Sequence, residues 1–309
     1  DRIILDLLRA KELMENDPIK TGVMPKETVL ASPISTSTLA AYHNRRYRFN
    51  YYAVVASLAR VYLWKGDKVN ALLMAKEVIA RQADRFPWVL KSNLSSISNS
   101  TSANKDRTFT TEHVFALNIR ALEEYIPTYL QGAGTNVGIH LYLNAATRNA
   151  LFENSNAANL ADPRYQYLLT PSGSNFYSNK LYQDANVSLW FKYQLPMIRI
   201  SEMYYIATEC EPSLAEGIAW LNTVRTERNL PTLSTNAISS ETALKNELQK
   251  EYQKEFLGEG QLWFYYKRNA LTSLPFNTNF SRLSSSSRLA AYSFDMPDDE
   301  FIYGGRETK

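Results

Sequence analysis

The sequence has few of the residues from which metal centres, cross-links and catalytic sites are built. Its 309 residues include one cysteine, Cys210, and three histidines, His43, His113 and His140. A single cysteine excludes an internal disulfide and a cysteine-rich metal cage. No histidine stands three or four residues from another ligand type in a helical pattern, so there is no zinc-ligand spacing, and no nucleophile motif is present. These absences predict a protein that is not an enzyme and that uses no metal or cofactor.

The conspicuous acidic groups do not suggest a glycosidase either. They are Glu123–Glu124, Glu209 with Glu211, and Asp298–Glu300. A glycosidase needs two carboxylates that face each other across the scissile bond, and sequence neighbours on a helix do not face each other. We interpret these residues as solvated surface acids.

Charge of one sign and long apolar runs are also scarce. The chain has 34 Lys and Arg against 31 Asp and Glu, a formal net charge of +3. This small excess argues against a nucleic-acid partner, because nucleic-acid binders concentrate basic residues on one face. Arg60 interrupts the best apolar run, residues 51–64, and a membrane-spanning helix needs roughly 20 apolar residues. The sequence starts at Asp1 inside a helical pattern and without an initiator methionine, so we expect the true start, with any lipid anchor or export signal, to be missing.

Aromatic side chains, by contrast, are abundant: 20 Tyr, 13 Phe and 5 Trp make up 12% of the residues. Most rings in helical segments stand at core-compatible positions. Residues 86–192 show little periodicity, and loops run over the surface, where they cannot bury every ring. Flat amphipathic rings suit stacking on a ligand. The candidates for ligand contact in this region are Tyr125, Tyr129, Phe176, Tyr177 and Trp190.

Helical periodicity is clearest towards the two ends of the chain. Near the N-terminus it predicts an amphipathic helix over residues 1–14 and a pair of helices over 48–64 and 68–82, separated by the breaker Lys65–Asp67. Five residues stand at the offsets typical of a tetratricopeptide-type hairpin, which has small residues for close helix contact and a glycine at the turn: Ala59, Tyr62, Gly66, Ala71 and Ala75. A generic helical hairpin without repeat ancestry explains the same spacing.

The helical pattern returns in the second half. It predicts helices over residues 197–210 and 214–228, where Ala207 and Ala219 repeat the alanine spacing of the first hairpin. Two more helices are predicted over 241–257 and 261–269. The patterns together predict a mostly α fold, with tetratricopeptide-like helical hairpins as a scaffold and a loop-rich region with a few short β-strands packed on it.

An ordered series of motifs between about residues 48 and 300 resembles the SusD-like (RagB/SusD) family of outer-membrane nutrient-binding lipoproteins. Leu195–Glu209 resembles the family's helix with proline, arginine, glutamate and alanine-glutamate, and Leu221–Arg225 resembles its leucine-asparagine-x-valine-arginine segment. Glu251–Gly260 resembles the family's glutamate-rich helix, Trp263–Arg268 its aromatic run, and Met296–Glu300 its closing proline and glutamate. Two upstream segments, Asp162–Arg164 and Leu58–Leu63, also resemble the family.

The resemblance implies a single SusD-like domain over residues 1–309 that lacks the family's N-terminal part. Its helical scaffold would span about 1–85 and 196–270. The loop-rich, ligand-facing region would span about 86–195, and a C-terminal tail about 271–309.

The resemblance also implies a lipid-anchored, surface-exposed protein of the cell outer membrane in a Bacteroidetes-type bacterium. Such a protein caps a SusC-like TonB-dependent transporter and captures a nutrient, most often a glycan, without catalysis. It would touch the membrane only through a lipid anchor that is absent from this sequence. The candidate rings would stack on the apolar face of a sugar, and Asn118, Arg120 and Asn179, which lie near them in the sequence, would bind its hydroxyls.

Two alternatives stay open. Peptide capture occurs within the same family, and the sequence does not separate it from glycan capture. The other alternative is a helical interaction scaffold, in which hairpin surfaces bind a protein partner and the loops bind nothing small.

Overall fold

The computed structural model describes residues 1–22, 45, 47–130, 141–274, 284–293, 302 and 304. His43, His140 and the motif Met296–Glu300 lie outside the described residues. The chain forms two compact units, Asp1–Glu259 and Gly260–Lys309. None of the helices in the described ranges has both the length and the apolarity needed to cross a membrane.

The first unit contains most of the regular structure. Its elements up to residue 130 are α1 Arg2–Leu13, α2 Pro18–Thr21, α3 Tyr51–Lys65, α4 Lys68–Ile79, α5 Gln82–Arg85, α6 Lys91–Leu94, β1 His113–Asn118 and α7 Leu122–Leu130. Its later elements are β2 Leu143–Asn144, α8 Ala145–Leu151, α9 Pro163–Tyr167, β3 Leu169–Ser172, β4 Asn175–Ser178, β5 Gln194–Arg199, α10 Ile200–Cys210, α11 Leu214–Glu227 and α12 Glu241–Glu255. Short 3-10 helices occupy Ser95–Ser98, Thr110–Glu112 and Ala157–Ala161. The second unit contains α13 Leu262–Arg268 and α14 Ser285–Ala290.

Helices α3 and α4 form the predicted N-terminal hairpin. The Asn50 side chain caps α3 by accepting a hydrogen bond from the Ala53 N–H, and Asp67 caps α4 by accepting one from the Asn70 N–H. Because Asn50 takes the cap, α3 begins three residues later than predicted. Gly66 ends α3 at a φ of 85°, a left-handed conformation that a residue with a Cβ disfavours. The turn glycine therefore has the role that the sequence pattern assigned to it.

Helices α10 and α11 form the second hairpin, and the predicted start of its first helix at Met197 is wrong. Residues 197–199 belong to β5, and α10 begins at Ile200. Along β5, Gln194, Pro196 and Ile198 are buried while the residues between them are only partly buried. This period of two is that of a strand, and the backbone of β5 pairs with β1.

Close packing in the second hairpin comes from Gly217 and not from Ala219. Ala219 is exposed, whereas Gly217 is buried. A Cβ at Gly217 would lie 2.9 Å from Leu244 Cδ2 of α12 and 3.2 Å from the Thr208 carbonyl oxygen of α10. The second hairpin thus repeats the alanine spacing of the first, but its close helix contact lies at Gly217, two positions before Ala219.

Two small antiparallel sheets accompany the helices. Strands β1 and β5 form a pair, with Asn118 opposite Gln194. Strand β4 is the centre of a three-stranded sheet between β2 and β3, and its Phe176 lies opposite Leu143 of β2. Both sheets draw on the loop-rich region, where the sequence predicts a few short strands.

The core of the first unit lies among α3, α4 and α10. The fully buried side chains that these helices contribute include Val54, Val55, Leu58, Ala59, Ala71, Ala75, Val78, Met203, Tyr205 and Ala207. Alanines at the contacts let the helix backbones approach closely, as the hairpin pattern predicts. The predicted fold class, mostly α with helical hairpins and a few short strands, is confirmed.

Candidate ligand-binding surface

A cluster of buried charges joins the loop-rich region to the helical scaffold. Its side chains come from distant parts of the chain, and each residue is 2% exposed or less. We call this cluster the charged core, and it consists of Glu112, Asp162, Arg164, Arg199, Arg228, Glu251 and Glu255.

Arginines from α9, from β5 and from the residue after α11 converge on Glu255 of α12. Arg164 of α9 donates to Glu255 Oε2 at 2.8 Å and to Glu251 Oε2 at 2.9 Å. Arg228, just after α11, donates to Glu255 Oε1 at 2.7 Å and to Glu112 Oε1 at 2.9 Å. A buried charge that loses its partner is strongly destabilising, so these bonds hold the segments around Glu112 and Arg164 on α12.

The cations keep the carboxylates of the charged core ionised. Burial alone would raise the pKa of Glu251, but Lys254 and two neighbouring arginines lower this pKa to about 2. Burial opposes ionisation of Glu255 as well, yet three arginines hold the pKa of that carboxyl well below its usual range. The two carboxylates are thus enclosed and neutralised by protein cations. In the described residues no three His, Cys, Asp or Glu side chains are placed to hold a metal ion.

Helix α7 presents two of the predicted ring residues to solvent. Its buried residues Leu122 and Ile126 pack on Leu181, and the flanking residues Tyr125 and Tyr129 are 53% and 44% exposed. The two ring centroids lie 6.5 Å apart, with 25° between the ring planes. The spacing of four residues places both rings on one side of the helix, where they form a near-parallel pair.

The chain returns to this pair after residue 140. The Leu141 N–H donates to the Tyr129 carbonyl oxygen at 3.0 Å, and Tyr142, which follows, is 53% exposed. The Tyr142 ring centroid lies 6.1 Å from that of Tyr177 on β4. We call Tyr125, Tyr129, Tyr142 and Tyr177 the tyrosine strip.

The structure separates the adjacent candidates Phe176 and Tyr177. Successive side chains of a strand point to opposite faces. Phe176 packs against the buried cluster of Leu151, Phe152 and Leu169, and the guanidinium of Arg148 lies 4.2 Å from its ring centroid. Tyr177 belongs to the tyrosine strip, on the other face of β4.

Polar candidates lie beside the start of α7. Asn118 and Arg120 are both exposed, and the Arg120 guanidinium lies 6.0 Å from the Tyr193 ring centroid. The Tyr193 hydroxyl donates to Glu123 Oε1 at 2.6 Å, and this hydrogen bond raises the pKa of Tyr193. Asn118 and Arg120 are therefore accessible just before the helix that carries the exposed tyrosine pair.

The two remaining candidates are less exposed than the tyrosine pair. Asn179 is buried, and its Nδ2 donates to the Tyr167 carbonyl oxygen at 2.9 Å and to Thr170 Oγ1 at 3.2 Å. Trp190 is half-buried. Its backbone N–H donates to Ser188 Oγ at 3.3 Å, and its backbone carbonyl accepts a hydrogen bond from the Gln194 side chain.

Sequence reasoning missed Tyr142 and Tyr193 as residues of this surface. Tyr142 stands directly before a short strand in the aperiodic region, a position that the criterion used for Tyr125 also fits. Tyr193 has a φ of 63°, and nothing in a tyrosine's local sequence signals a left-handed backbone.

A cleft of about 450 Å³ lies elsewhere in the first unit. It is lined by the first residues of α4, by residues 208–212 at the end of α10 and by the first half of α12. None of the predicted ring residues lines this cleft. The structure thus offers two separate surface features, the tyrosine strip and a cleft between helices.

Comparison with known proteins supports the resemblance seen in the motifs. The model of the SusD family matches residues 176–288, and no curated protein sequence matches the chain significantly. Among solved structures, a SusD superfamily protein from Bacteroides vulgatus ATCC 8482 has a TM-score of 0.61 and 20% identity, covering 85% of this chain and 59% of that one.

Two further solved structures are similar. A SusD superfamily protein from Bacteroides thetaiotaomicron VPI-5482 has a TM-score of 0.58 and 16% identity, covering 80% of this chain and 54% of that one. A SusD-like carbohydrate binding protein from Bacteroides vulgatus ATCC 8482 has a TM-score of 0.56 and 18% identity, covering 86% of this chain and 50% of that one. The chain thus spans about half the length of these relatives. Residues 176–288 match the model of the SusD family and the chain has the fold of SusD-like solved structures, so the resemblance seen in the sequence motifs is confirmed.

Proposed function

We propose that the protein is a cell-surface nutrient-binding lipoprotein that captures a glycan and delivers it to a SusC-like TonB-dependent transporter. In this proposal it is anchored by lipid in the outer membrane of a Bacteroidetes-type bacterium. The SusD family match and the similarity to a protein described as carbohydrate binding support this role. The observation within the molecule that supports it best is the tyrosine strip.

The tyrosine strip has the properties of a sugar-binding surface. Tyr125, Tyr129 and Tyr142 are each close to half exposed or more, and large apolar rings grouped at a surface commonly mark a binding site. A tyrosine ring offers an apolar face to the C–H groups of a sugar and a hydroxyl to its oxygens. It also has few rotatable bonds, so little conformational entropy is lost when a ligand binds.

The polar groups near the strip differ in their availability. The exposed side chains of Asn118 and Arg120 are free to turn towards sugar hydroxyls at the start of α7. We assign structural roles to Asn179 and Phe176, because their contacts are made within the chain. The Asn179 side chain holds the end of β4 in place, and Phe176 packs against the buried apolar cluster. Trp190 stays a candidate whose ring is half-buried.

The proposed role is binding without catalysis. Hydrolysis of a glycosidic bond needs one carboxyl group that gives a proton and another that acts as base or nucleophile on the sugar. The carboxylates of the charged core are closed off from solvent and bonded to arginines. They therefore serve the fold, and a turnover of polysaccharide by the purified protein would contradict the proposal.

The proposal is tested by removing the exposed ring pair. We expect the double variant Tyr125→Ala, Tyr129→Ala to bind its glycan more weakly by about 1–3 kcal/mol, because alanine cannot stack on a sugar. Native affinity gels with a broad set of polysaccharides identify the glycan, and calorimetry measures its affinity. Phe264→Ala is the control, since Phe264 is 54% exposed and lies in α13. Unchanged glycan affinity in the folded double variant would remove the strip from the binding site.

The same measurement separates glycan capture from peptide capture. If a polysaccharide retards the protein in the gel, the result supports glycan capture. If no polysaccharide retards it and a peptide mixture binds tightly, the result supports peptide capture, the alternative within the family.

A second candidate is the helical scaffold for a protein partner. The cleft favours it, because Val69, an exposed apolar residue of α4, is part of its lining. Co-purification of a protein other than a transporter, with no glycan or peptide bound, would support this candidate.

A further inference from the structure

Arg148 of α8 lies against the faces of two aromatic rings. Its guanidinium carbon is 3.7 Å from the ring centroid of Tyr165 and 4.2 Å from that of Phe176. At these distances both rings are in contact with the guanidinium, and the N–H groups that do not face a ring are the part that can bind another group. We call Arg148, Tyr165 and Phe176 the arginine clamp.

The rings of the arginine clamp are themselves fixed. Tyr165 follows Arg164, which is bonded into the charged core, and its ring packs edge-to-face on Phe152 with centroids 5.5 Å apart. Phe176 sits in the centre strand of the three-stranded sheet and packs on the same apolar cluster. The guanidinium is therefore held in one orientation before any ligand arrives, which lowers the entropy lost on binding.

The charge of Arg148 has no carboxylate partner within the described residues, since none of their ion pairs includes it. Its Nε is buried and has no hydrogen-bond partner there. The buried arginines 164, 199 and 228, by contrast, each bond to at least two acidic side chains. A buried polar group without a partner is rare in a folded protein and calls for an explanation.

We propose that the arginine clamp is a subsite for an oxyanion of the ligand, a uronic carboxylate or a sulfate ester, so that the glycan captured by this protein is acidic. This inference rests on the proposed glycan-binding function. The planar guanidinium matches a carboxylate or sulfate with two parallel hydrogen bonds. The covering rings exclude water from its faces, and a charge pair is stronger where water is excluded.

The arginine clamp and the tyrosine strip share a strand. Phe176 of the clamp and Tyr177 of the strip are neighbours in β4, with Cα atoms about 3.8 Å apart. Tyr142 of the strip precedes β2, and Arg148 lies in the helix that follows β2. Phe176 and Tyr177 point to opposite faces of β4, so a glycan of several sugars that stacks on the strip must pass round β2, the edge strand of the sheet, to place an acidic substituent at Arg148.

The test compares the full chain with variants that separate charge from geometry. Arg148→Gln removes the positive charge. Arg148→Lys keeps the charge but loses the paired N–H groups with which a guanidinium donates two parallel hydrogen bonds. Arg9→Gln is the matched control, because it removes the same charge from an exposed position on α1. Thermal unfolding verifies that each variant is folded, and if Arg148→Gln does not fold, Arg148→Lys decides the test.

The ligands are polysaccharides in charged and neutralised forms. They are a galacturonan before and after methyl esterification, a sulfated galactan before and after desulfation, several neutral glucans, xylans and mannans, and polyglutamate. Affinity gels and calorimetry give the affinities. The two acidic polymers distinguish a carboxylate from a sulfate as the bound group.

We expect an acidic glycan to bind most tightly and to lose about tenfold or more of its affinity when it is neutralised or when Arg148 becomes Gln. Arg148→Lys should also bind more weakly, and Arg9→Gln should stay within about twofold of the original chain.

Three results would overturn the inference, and they differ from one another. Tight binding of a neutral glycan that depends on the tyrosine pair but not on Arg148 would remove the oxyanion subsite and leave glycan capture in place. Equal, Arg148-dependent binding of polyglutamate would show a site for anionic chains in general. Failure to bind any polysaccharide would overturn the proposed function together with this inference.

Discussion

Replacing Glu251 by glutamine removes a negative charge that three buried cations share. Its carboxylate accepts from Arg164 at 2.9 Å and from Arg225 at 2.8 Å, and Lys254 Nζ lies 3.4 Å away. We expect Glu251→Gln to lower the free energy of unfolding by about 3 kcal/mol, because the cations keep their charge in a buried site. Urea unfolding followed by circular dichroism measures the change.

Glu12→Gln provides the control for this prediction. Glu12 is an exposed residue of α1 that pairs with Arg9 at the surface, and such pairs contribute roughly 0–1 kcal/mol. A loss of similar size in the two variants would mean that the charged core is not held together by its ion pairs.

For single aromatic residues, the sequence predicts exposure to solvent better than it predicts the role of each side chain. The lack of periodicity around Tyr125 and Tyr129 led to the expectation of solvent-facing rings, and both rings are about half exposed. The same criterion cannot separate Phe176 from Tyr177, because it takes no account of strand alternation. Which of these rings contact a ligand stays a prediction.

Among the helices, α11 depends on Gly217 for its close approach to α10 and α12. Alanine is the better helix former by about 1 kcal/mol, yet its Cβ would meet Leu244 Cδ2 at 2.9 Å and the Thr208 carbonyl oxygen at 3.2 Å. A backbone oxygen cannot move aside alone, so we expect Gly217→Ala to lower the free energy of unfolding by about 1–2 kcal/mol. Urea unfolding decides the sign, and a stabilised variant would show that the helices separate easily.

The start of α10 illustrates which element boundaries the sequence does not show. Arg199 occupies the cap position and makes no side-chain cap hydrogen bond, so no start signal separates the helix from the residues before it. Those residues form β5 by pairing with β1, about 80 residues earlier in the chain. Local periodicity carries no information about a partner at that distance, whereas the caps Asn50 and Asp67 act within three residues of their own helices.

For the molecule as a whole, the charged core makes stability depend on pH. The pKa of Glu251 is about 2 in the folded chain against an ordinary value of 4.5. As pH falls, the Glu251 carboxyl is therefore protonated in the unfolded chain at a higher pH than in the folded chain. The free energy of unfolding decreases as a result. The stabilisation, about 3 kcal/mol, is complete above pH 4.5 or so and disappears as pH falls towards 2.

Thermal unfolding between pH 7 and pH 3 checks this dependence. The midpoint temperature should be nearly constant down to about pH 5 and should then fall, and Glu251→Gln should flatten the fall. A midpoint that does not change between pH 5 and pH 3 would contradict the prediction.

The motifs on which the family resemblance rests turn out to supply the charged core. Asp162–Arg164, Leu195–Glu209 and Glu251–Gly260 contribute most of its side chains. The sequence did not reveal that these residues meet, because Arg164 and Glu251 are 87 positions apart and Arg228 and Glu112 are 116 apart. Recognition of the family thus came from residues that hold the fold, and it says little about residues that contact a ligand.

The placement of the charged core also bears on how such a chain can diversify. The segment between Glu112 and Asp162 is fastened at both ends and carries three of the four rings of the tyrosine strip between its anchors. Loop closure depends only weakly on loop length, so insertions and replacements between the anchors disturb the helical frame little. The helical frame therefore stays the same while this segment changes, and one scaffold can carry different surfaces in place of the tyrosine strip.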